Sequence, residues 1–128
     1  MAELEKLTIN LGPVDLGQIE LLVEQGFYAN RAEFIRTAIQ NQLAKHAETV
    51  REATTRNAYL MGAVTYGRKA LEEERREGRR LKLRMVGYLG IDDDVTPELA
   101  KATIESIKVL GMFRASPAVK AALADRTR

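Results

Sequence analysis

The sequence predicts a mainly α-helical fold with short β-strands, and three observations support this. Residues 6–11 alternate between polar and apolar side chains, which is the period of a strand. Residues 13–43 repeat apolar side chains at helical spacing, and residues 81–128 contain two strand patterns that are each followed by a helix start. We therefore expect an N-terminal module at 1–50, a basic helical connector at 51–80 and a small strand–helix repeat unit at 81–128.

The first predicted element is a short strand with one apolar and one polar face. Its apolar residues are Leu7, Ile9 and Leu11, and its polar residues are Lys6, Thr8 and Asn10. A single strand leaves its backbone N–H and C=O groups unpaired at both edges. The simplest partner is the same strand of a second copy, so the sequence predicts a dimer joined by a two-stranded ribbon.

Two helices are predicted after this strand. Pro13 suits the first position of a helix, and Gly26 suits the end of that helix. Asn30 is a good N-cap, and Glu33 completes a capping box at the start of the second helix. This second helix has no Gly or Pro between residues 44 and 53, so its end stays open and it is expected to extend toward residue 50 or beyond.

A third helix is predicted over residues 55–77. Leu60, Val64, Gly67 and Leu71 fall on one helical stripe, and Gly78 follows as a stop. The tail of this helix is charged on all sides, which is typical of a solvated helix end.

The last third of the chain predicts two strand–helix units. Strands are expected over 81–91 and 105–113, and Thr96-Pro97 and Ser116-Pro117 begin the helices that follow. Gly87 and Gly111 occupy equivalent places in the two units. Two such units are too few for a free-standing solenoid, so we expect residues 81–128 to serve in assembly or in binding a partner. The alternative is an ordinary α/β tail.

The charge is unevenly distributed. Residues 1–50 hold four basic against seven acidic side chains, residues 51–84 hold ten against five, and residues 85–128 hold six of each, giving a net charge of +2 for the chain. The predicted N-terminal module is therefore slightly acidic, whereas the middle of the chain is basic.

Several classes of function are disfavoured by composition. The chain has no Cys, so thiolate metal sites are excluded, and the single His46 leaves little from which to build a transition-metal site or a nucleophile–His pair. The acidic run at residues 92–94 is best interpreted as a loop. We expect no catalytic residues, no metal and no cofactor, and the absence of a signal peptide or membrane span predicts a cytoplasmic protein.

Residues 6–11 and the sequence Gly26-Phe27-Tyr28-Ala29-Asn30-Arg31-Ala32-Glu33-Phe34-Ile35-Arg36 resemble the ribbon-helix-helix family of DNA-binding proteins, the Arc/MetJ/CopG type. This resemblance covers about 40 of the 128 residues. It implies an intertwined homodimer whose ribbon enters the major groove of double-stranded DNA. The C-terminal segment resembles the tails of some regulators of this type, for which no activity is defined.

The resemblance also implies residue roles. The base-reading residues are Lys6, Thr8 and Asn10, whose side chains match the donors and acceptors of base edges. The backbone N–H groups at the start of the second helix, at Asn30, Arg31 and Ala32, bind a phosphate of the DNA. The dimer core comprises Leu7, Ile9, Leu11, Phe34, Ile35 and Ile39.

These observations predict a sequence-specific transcriptional regulator that acts as a repressor or autoregulator and associates with the nucleoid when bound to DNA. Two alternatives stay open. One is the antitoxin of a toxin–antitoxin pair, in which the tail binds a protein partner. The other is a self-assembling scaffold in which the N-terminal module serves only for dimerisation and the tail gives higher-order oligomers. It also stays open whether residues 75–84 contact DNA.

Overall fold

The computed structural model describes residues 4–128, so the first three residues of the predicted N-terminal module lie outside the described range. The described chain divides into two compact units, residues 4–52 and residues 53–128. The fold is mixed α/β, with six α-helices and a three-stranded parallel sheet among these residues. None of the described helices is both long and apolar enough to cross a bilayer.

The N-terminal unit contains helices α1 (Pro13–Glu24) and α2 (Arg31–Lys45), which confirms both predicted helix starts. Gly26 adopts φ +86° at the turn after α1, where the backbone N–H of Phe27 donates to the carbonyl of Leu22 at 3.0 Å. A side chain is strained at such a φ, which explains glycine at this turn. Helix α2 ends at Lys45 with His46 as its C-cap, so the expectation that it extends to residue 50 or beyond is wrong, and a separate helix α3 (Ala47–Arg56) follows.

The prediction of a single helix over residues 55–77 is wrong. Residues Leu60–Tyr66 form strand β1, and the helical residues of this range are the last two of α3, Thr55 and Arg56, and Arg68–Arg76, which form α4. The apolar residues of β1 satisfy helical spacing by coincidence, because Leu60 and Val64 are four apart and strand alternation also places them on one face. The long-range pairing of β1 with the next strand overrides the local pattern.

The remaining predicted strands and helices of the C-terminal unit are confirmed. Strand β2 covers Leu81–Ile91, helix α5 covers Pro97–Thr103, strand β3 covers Ile104–Arg114, and helix α6 covers Pro117–Ala122. Both helices begin as expected, since the Thr96 hydroxyl accepts from the Leu99 N–H at 3.1 Å and the Ser116 hydroxyl accepts from the Val119 N–H at 3.2 Å. The unit thus contains three strand–helix units, whereas the sequence predicts two.

The three strands lie in chain order, β1-β2-β3, and every pair is parallel. Helices α4, α5 and α6 pack on one face of this sheet and enclose its core. The side chains that are fully buried there come from both layers: Leu71, Leu89, Ile104, Ile107, Val119 and Leu123. Each such side chain contributes about 1.5–3 kcal/mol on burial, so this core stabilises the C-terminal unit.

A row of three glycines crosses the sheet. Gly62, Gly87 and Gly111 are register partners, with φ values of +136°, +135° and +129°. A Cβ on Gly87 would lie 2.1 Å from the carbonyl oxygen of Gly62, and one on Gly111 would lie 2.1 Å from that of Gly87. The strands approach each other here in a conformation that only glycine tolerates.

Candidate nucleic-acid interface

Residues 4–12, which include the predicted ribbon, have no regular secondary structure in the single chain. The three predicted base-reading residues, Lys6, Thr8 and Asn10, are all exposed. Their apolar neighbours are also exposed, with Leu7 84% and Ile9 67% accessible. A segment with both sets of side chains in solvent lacks the partner that a two-faced strand needs.

The start of α2 forms the capping box that the sequence predicts. The Asn30 side chain accepts a hydrogen bond from the Glu33 N–H at 2.8 Å, and the Glu33 carboxylate accepts one from the Ala29 N–H at 2.7 Å. Arg31 and Ala32 occupy the first two helical positions, whose N–H groups have no partner within a helix. Both residues are exposed, so this helix end can present N–H groups to an anion.

Arg31 also forms an ion pair with a residue of α1. One of its guanidinium nitrogens lies 3.6 Å from a carboxylate oxygen of Glu20, and both side chains are more than half exposed. An exposed pair of this kind contributes little to stability. Glu20 nevertheless reduces the positive charge that Arg31 brings to the helix start.

An open apolar groove of about 410 Å³ lies beside this helix start. Three predicted dimer-core residues line it, Ile9, Leu11 and Ile35, together with Leu16 and Ile19 of α1. The predicted dimer core does not include Leu16 and Ile19, although their helical spacing places them on the apolar face of α1. The groove joins the ribbon segment to both helices of the N-terminal unit.

The other predicted dimer-core residues differ in exposure. Phe34 is half-buried and packs edge-on against Tyr28, with the two rings 5.1 Å apart. Ile39 is 52% exposed on α2. Phe34 therefore already contributes to packing within one chain, whereas Ile39 presents apolar surface to solvent.

Two cationic side chains of the basic stretch at residues 75–84 make contacts within the chain. The Arg79 guanidinium donates to the Glu74 carboxylate at 2.8 Å, which lowers the pKa of Glu74. Arg84 lies over the Tyr59 ring at 4.6 Å and donates to the carbonyl of Asn57 at 2.8 Å. These two side chains support the C-terminal unit, which favours a structural role for this part of the basic stretch.

The acidic run at residues 92–94 forms the loop after β2, as predicted. The Asp94 carboxylate accepts a hydrogen bond from the Arg68 N–H at 3.1 Å at the start of α4, and the Asp92 N–H donates to the Tyr66 carbonyl at 2.9 Å. Across residues 4–128, His, Asp and Glu side chains form no group of three that could hold a metal ion. The loop leads from β2 into α5, and its Asp94 side chain caps the start of α4.

The capping box gives a first testable prediction. Asn30→Ala removes the acceptor of the Glu33 N–H, so we expect the free energy of unfolding to fall by about 1 kcal/mol. Asn41→Ala is the matched control, because it makes the same exchange at an exposed site inside α2 and is expected to be neutral or slightly stabilising. Urea unfolding followed by circular dichroism measures both; equal stability of the two variants would contradict the capping role.

The exposed segment at residues 4–12 followed by α1 and α2 favours a ribbon-helix-helix type of protein, here with an added C-terminal α/β unit. A family model described as the Ribbon-Helix-Helix transcriptional regulator family matches residues 2–120. The chain therefore belongs to this family, and the match extends well beyond the N-terminal third in which the resemblance was recognised. No curated protein and no solved structure matches the chain.

Proposed function

We propose that this protein is a sequence-specific DNA-binding regulator that represses transcription, including that of its own gene, and that it acts at the nucleoid. Two chains intertwine through residues 4–45, and their ribbons form an antiparallel pair in the major groove. The observation that carries the proposal is the simultaneous exposure of both faces of residues 6–11, since the apolar face requires a partner chain and the polar face carries side chains that suit base edges.

The apolar side of the ribbon supports the dimer. Leu7, Ile9 and Ile39 are each more than half exposed in the single chain, which leaves a large apolar surface in contact with water. Large apolar side chains left in water beside an unpaired strand segment favour an interface. The groove lined by Ile9, Leu11 and Ile35 is the place where apolar side chains of the partner ribbon are accommodated.

The polar side supports DNA recognition. Lys6 donates to the O6 and N7 of guanine, Asn10 pairs with the N6 and N7 of adenine, and Thr8 contacts a base edge or a thymine methyl group. The N–H groups at the start of α2, at Asn30, Arg31 and Ala32, bind a backbone phosphate and fix the ribbon in the groove. Because Lys6 is the single cation on the ribbon, each dimer binds modestly and several dimers act together.

The alternatives differ in what the C-terminal unit does. An antitoxin uses it to bind a toxin, and a scaffold uses it to build arrays without DNA. Residues 53–128 form a compact unit with a buried core, whereas toxin-binding tails are typically short and flexible. This favours the regulator, with the C-terminal unit serving higher-order assembly.

The dependence of DNA binding on the dimer is tested by Ile9→Asp. This change places a charge in the proposed dimer core of both chains, where each isoleucine would contribute about 1.5–3 kcal/mol on burial. We expect the dimer dissociation constant to rise at least about a hundredfold and DNA binding to be lost with it. Analytical ultracentrifugation and a fluorescence-anisotropy titration with DNA measure the two effects.

The control for Ile9→Asp is Thr8→Ala, which changes the polar face alone and is expected to leave the dimer intact. Circular dichroism should show that the C-terminal unit stays folded in both variants. If Ile9→Asp remained a dimer with unchanged DNA affinity, the proposed ribbon pairing would be wrong.

A further inference from the structure

The sheet of the C-terminal unit has a second face, opposite to the helices. Strand alternation and register place two apolar rows at the centre of this outer face, Met61–Val86–Leu110 and Ala63–Tyr88–Met112. Met61 is 59% and Leu110 is 51% exposed, while Val86, Tyr88 and Met112 are half-buried. The outer face is therefore apolar at its centre and accessible in the single chain.

Such a face is unusual for a parallel sheet. Parallel sheets occur almost only with both faces covered, because their strands are apolar on both sides. Here α4, α5 and α6 pack on the core side alone. An apolar centre of this kind marks a surface that another layer covers.

Charged side chains give the two ends of the outer face opposite signs. At the end where β2 and β3 begin, Lys82, Arg84 and Lys108 outnumber one acid, Glu105, which lies 3.4 Å from Lys82. The net charge at this end is +2.

The other end of the outer face is acidic. Asp92 and Asp93 line a groove together with Tyr88 and Arg114, where β2 and β3 finish. Two acids against one cation give this end a net charge of −1. The outer face thus has an apolar centre between a positive and a negative end.

We propose that the outer face is covered by the outer face of a second copy, with the strands of the two sheets running in opposite directions. A two-fold axis in the plane between the sheets brings the positive end of each copy over the negative end of the other and stacks the apolar rows in the middle. The reverse arrangement, with strands running the same way, would bring the two positive ends together. A face made only of cations would instead select a polyanion, whereas one with two opposite ends is complementary to itself.

This contact is distinct from the ribbon dimer, and only the expected size of the assembly depends on the proposed function. If both contacts form, the chain assembles into tetramers or larger multiples of the 14.3 kDa chain. If the ribbon dimer does not form, the outer face alone gives a dimer.

The test is the mass of the full chain and of its outer-face variants, measured by analytical ultracentrifugation over a dilution series. Leu110→Glu places a charge at the centre of the apolar rows. We expect this variant to have half the mass of the wild-type assembly, or less. Met61→Glu makes the equivalent change on the edge strand and serves if Leu110→Glu is misfolded by circular dichroism. Leu60→Glu is the matched control, because Leu60 is 62% exposed but pairs with the core residue Met85 and so belongs to the helix side of the sheet.

Lys108→Glu tests the orientation of the two copies. It reduces the positive end from +2 to neutral, so we expect weaker self-association than in the wild type. In the arrangement with strands running the same way, the same change would relieve repulsion and strengthen the contact, which would contradict the proposed orientation.

The measured masses distinguish the outer-face contact from the ribbon dimer. A tetramer that Leu110→Glu reduces to a dimer supports both contacts, and a dimer that it reduces to a monomer supports the outer face while contradicting the ribbon. Equal masses for the wild type, Leu110→Glu and Met61→Glu would overturn the outer-face contact. Loss of mass in Leu60→Glu alone would also overturn it, in favour of pairing at the β1 edge. Equal masses accompanied by Lys108-dependent binding of single-stranded oligonucleotides would assign the outer face to nucleic acid.

Discussion

Replacing Gly87 by alanine is expected to destabilise the C-terminal unit by at least about 3 kcal/mol. The new Cβ would lie 2.1 Å from the Gly62 carbonyl oxygen, and the residue would be held at φ +135°. Backbone strain of this kind costs about 1–3 kcal/mol for a residue other than glycine, and the displacement of β1 adds to it. Because β1 and β2 pair through this row, we expect the whole sheet to be affected.

Gly62→Ala is the matched control for this prediction. Gly62 has nearly the same φ, +136°, but a Cβ there would meet nothing within 4 Å. This variant therefore has the backbone strain without the clash, and we expect its free energy of unfolding to fall by about 1–3 kcal/mol. Urea unfolding monitored by circular dichroism compares the two variants with the wild type. If Gly87→Ala were no less stable than Gly62→Ala, the close approach of the strands would not be the cause.

The double variant Thr8→Ala plus Asn10→Ala is expected to lose most of the ability to distinguish a specific DNA site from other sequences. Each well-placed base contact contributes about 1–3 kcal/mol of discrimination, and the proposed dimer brings two copies of both residues. We therefore expect the ratio of specific to non-specific affinity to fall at least about a hundredfold. Non-specific affinity should change little, because neither side chain carries a charge.

Competition titrations at fixed salt measure that ratio. Gln40→Ala plus Asn41→Ala is the control, because it removes two exposed polar side chains from α2 that have no proposed contact with DNA. Sedimentation should show that both variants keep the mass of the wild type. Unchanged discrimination in the Thr8 and Asn10 variant would mean that other residues read the sequence.

Local signals explain which parts of the fold the sequence predicts well. Gly26 and Asn30 mark a helix end and a helix start through their own backbone and side-chain chemistry, and the structure places both there. Thr96 and Ser116 do the same in the C-terminal unit. Such elements depend on neighbours within four residues, so the pattern of a single chain is sufficient.

The sequence does not predict strand β1, because the residues that pair with β1 lie about 25 positions further along the chain, in β2. Gly62 weakens a helix, but its role appears only when β1 is aligned with β2, where it pairs with Gly87. The spacing of 25 residues between Gly62 and Gly87 is close to the 24 between Gly87 and Gly111, and this was the available signal for a third unit.

The ribbon segment at residues 6–11 depends on a partner chain. Alternation at Leu7 and Ile9 predicts a strand, yet a strand needs a hydrogen-bonding partner, and the single chain supplies none for residues 4–12 as the structure describes them. The alternation and the exposure together favour a partner chain. The base-reading roles of Lys6, Thr8 and Asn10 stay predictions, because they depend on that partner and on DNA.

Above all, we propose that this ribbon-helix-helix family member reads DNA sequence. The most direct test is to select genomic DNA fragments with the purified full-length protein at fixed, moderate salt, since phosphate-driven affinity changes steeply with salt. Sequencing of the bound fragments is expected to show enrichment of short repeated or inverted half-sites. Recovery of fragments without any enriched motif would contradict a sequence-specific regulator.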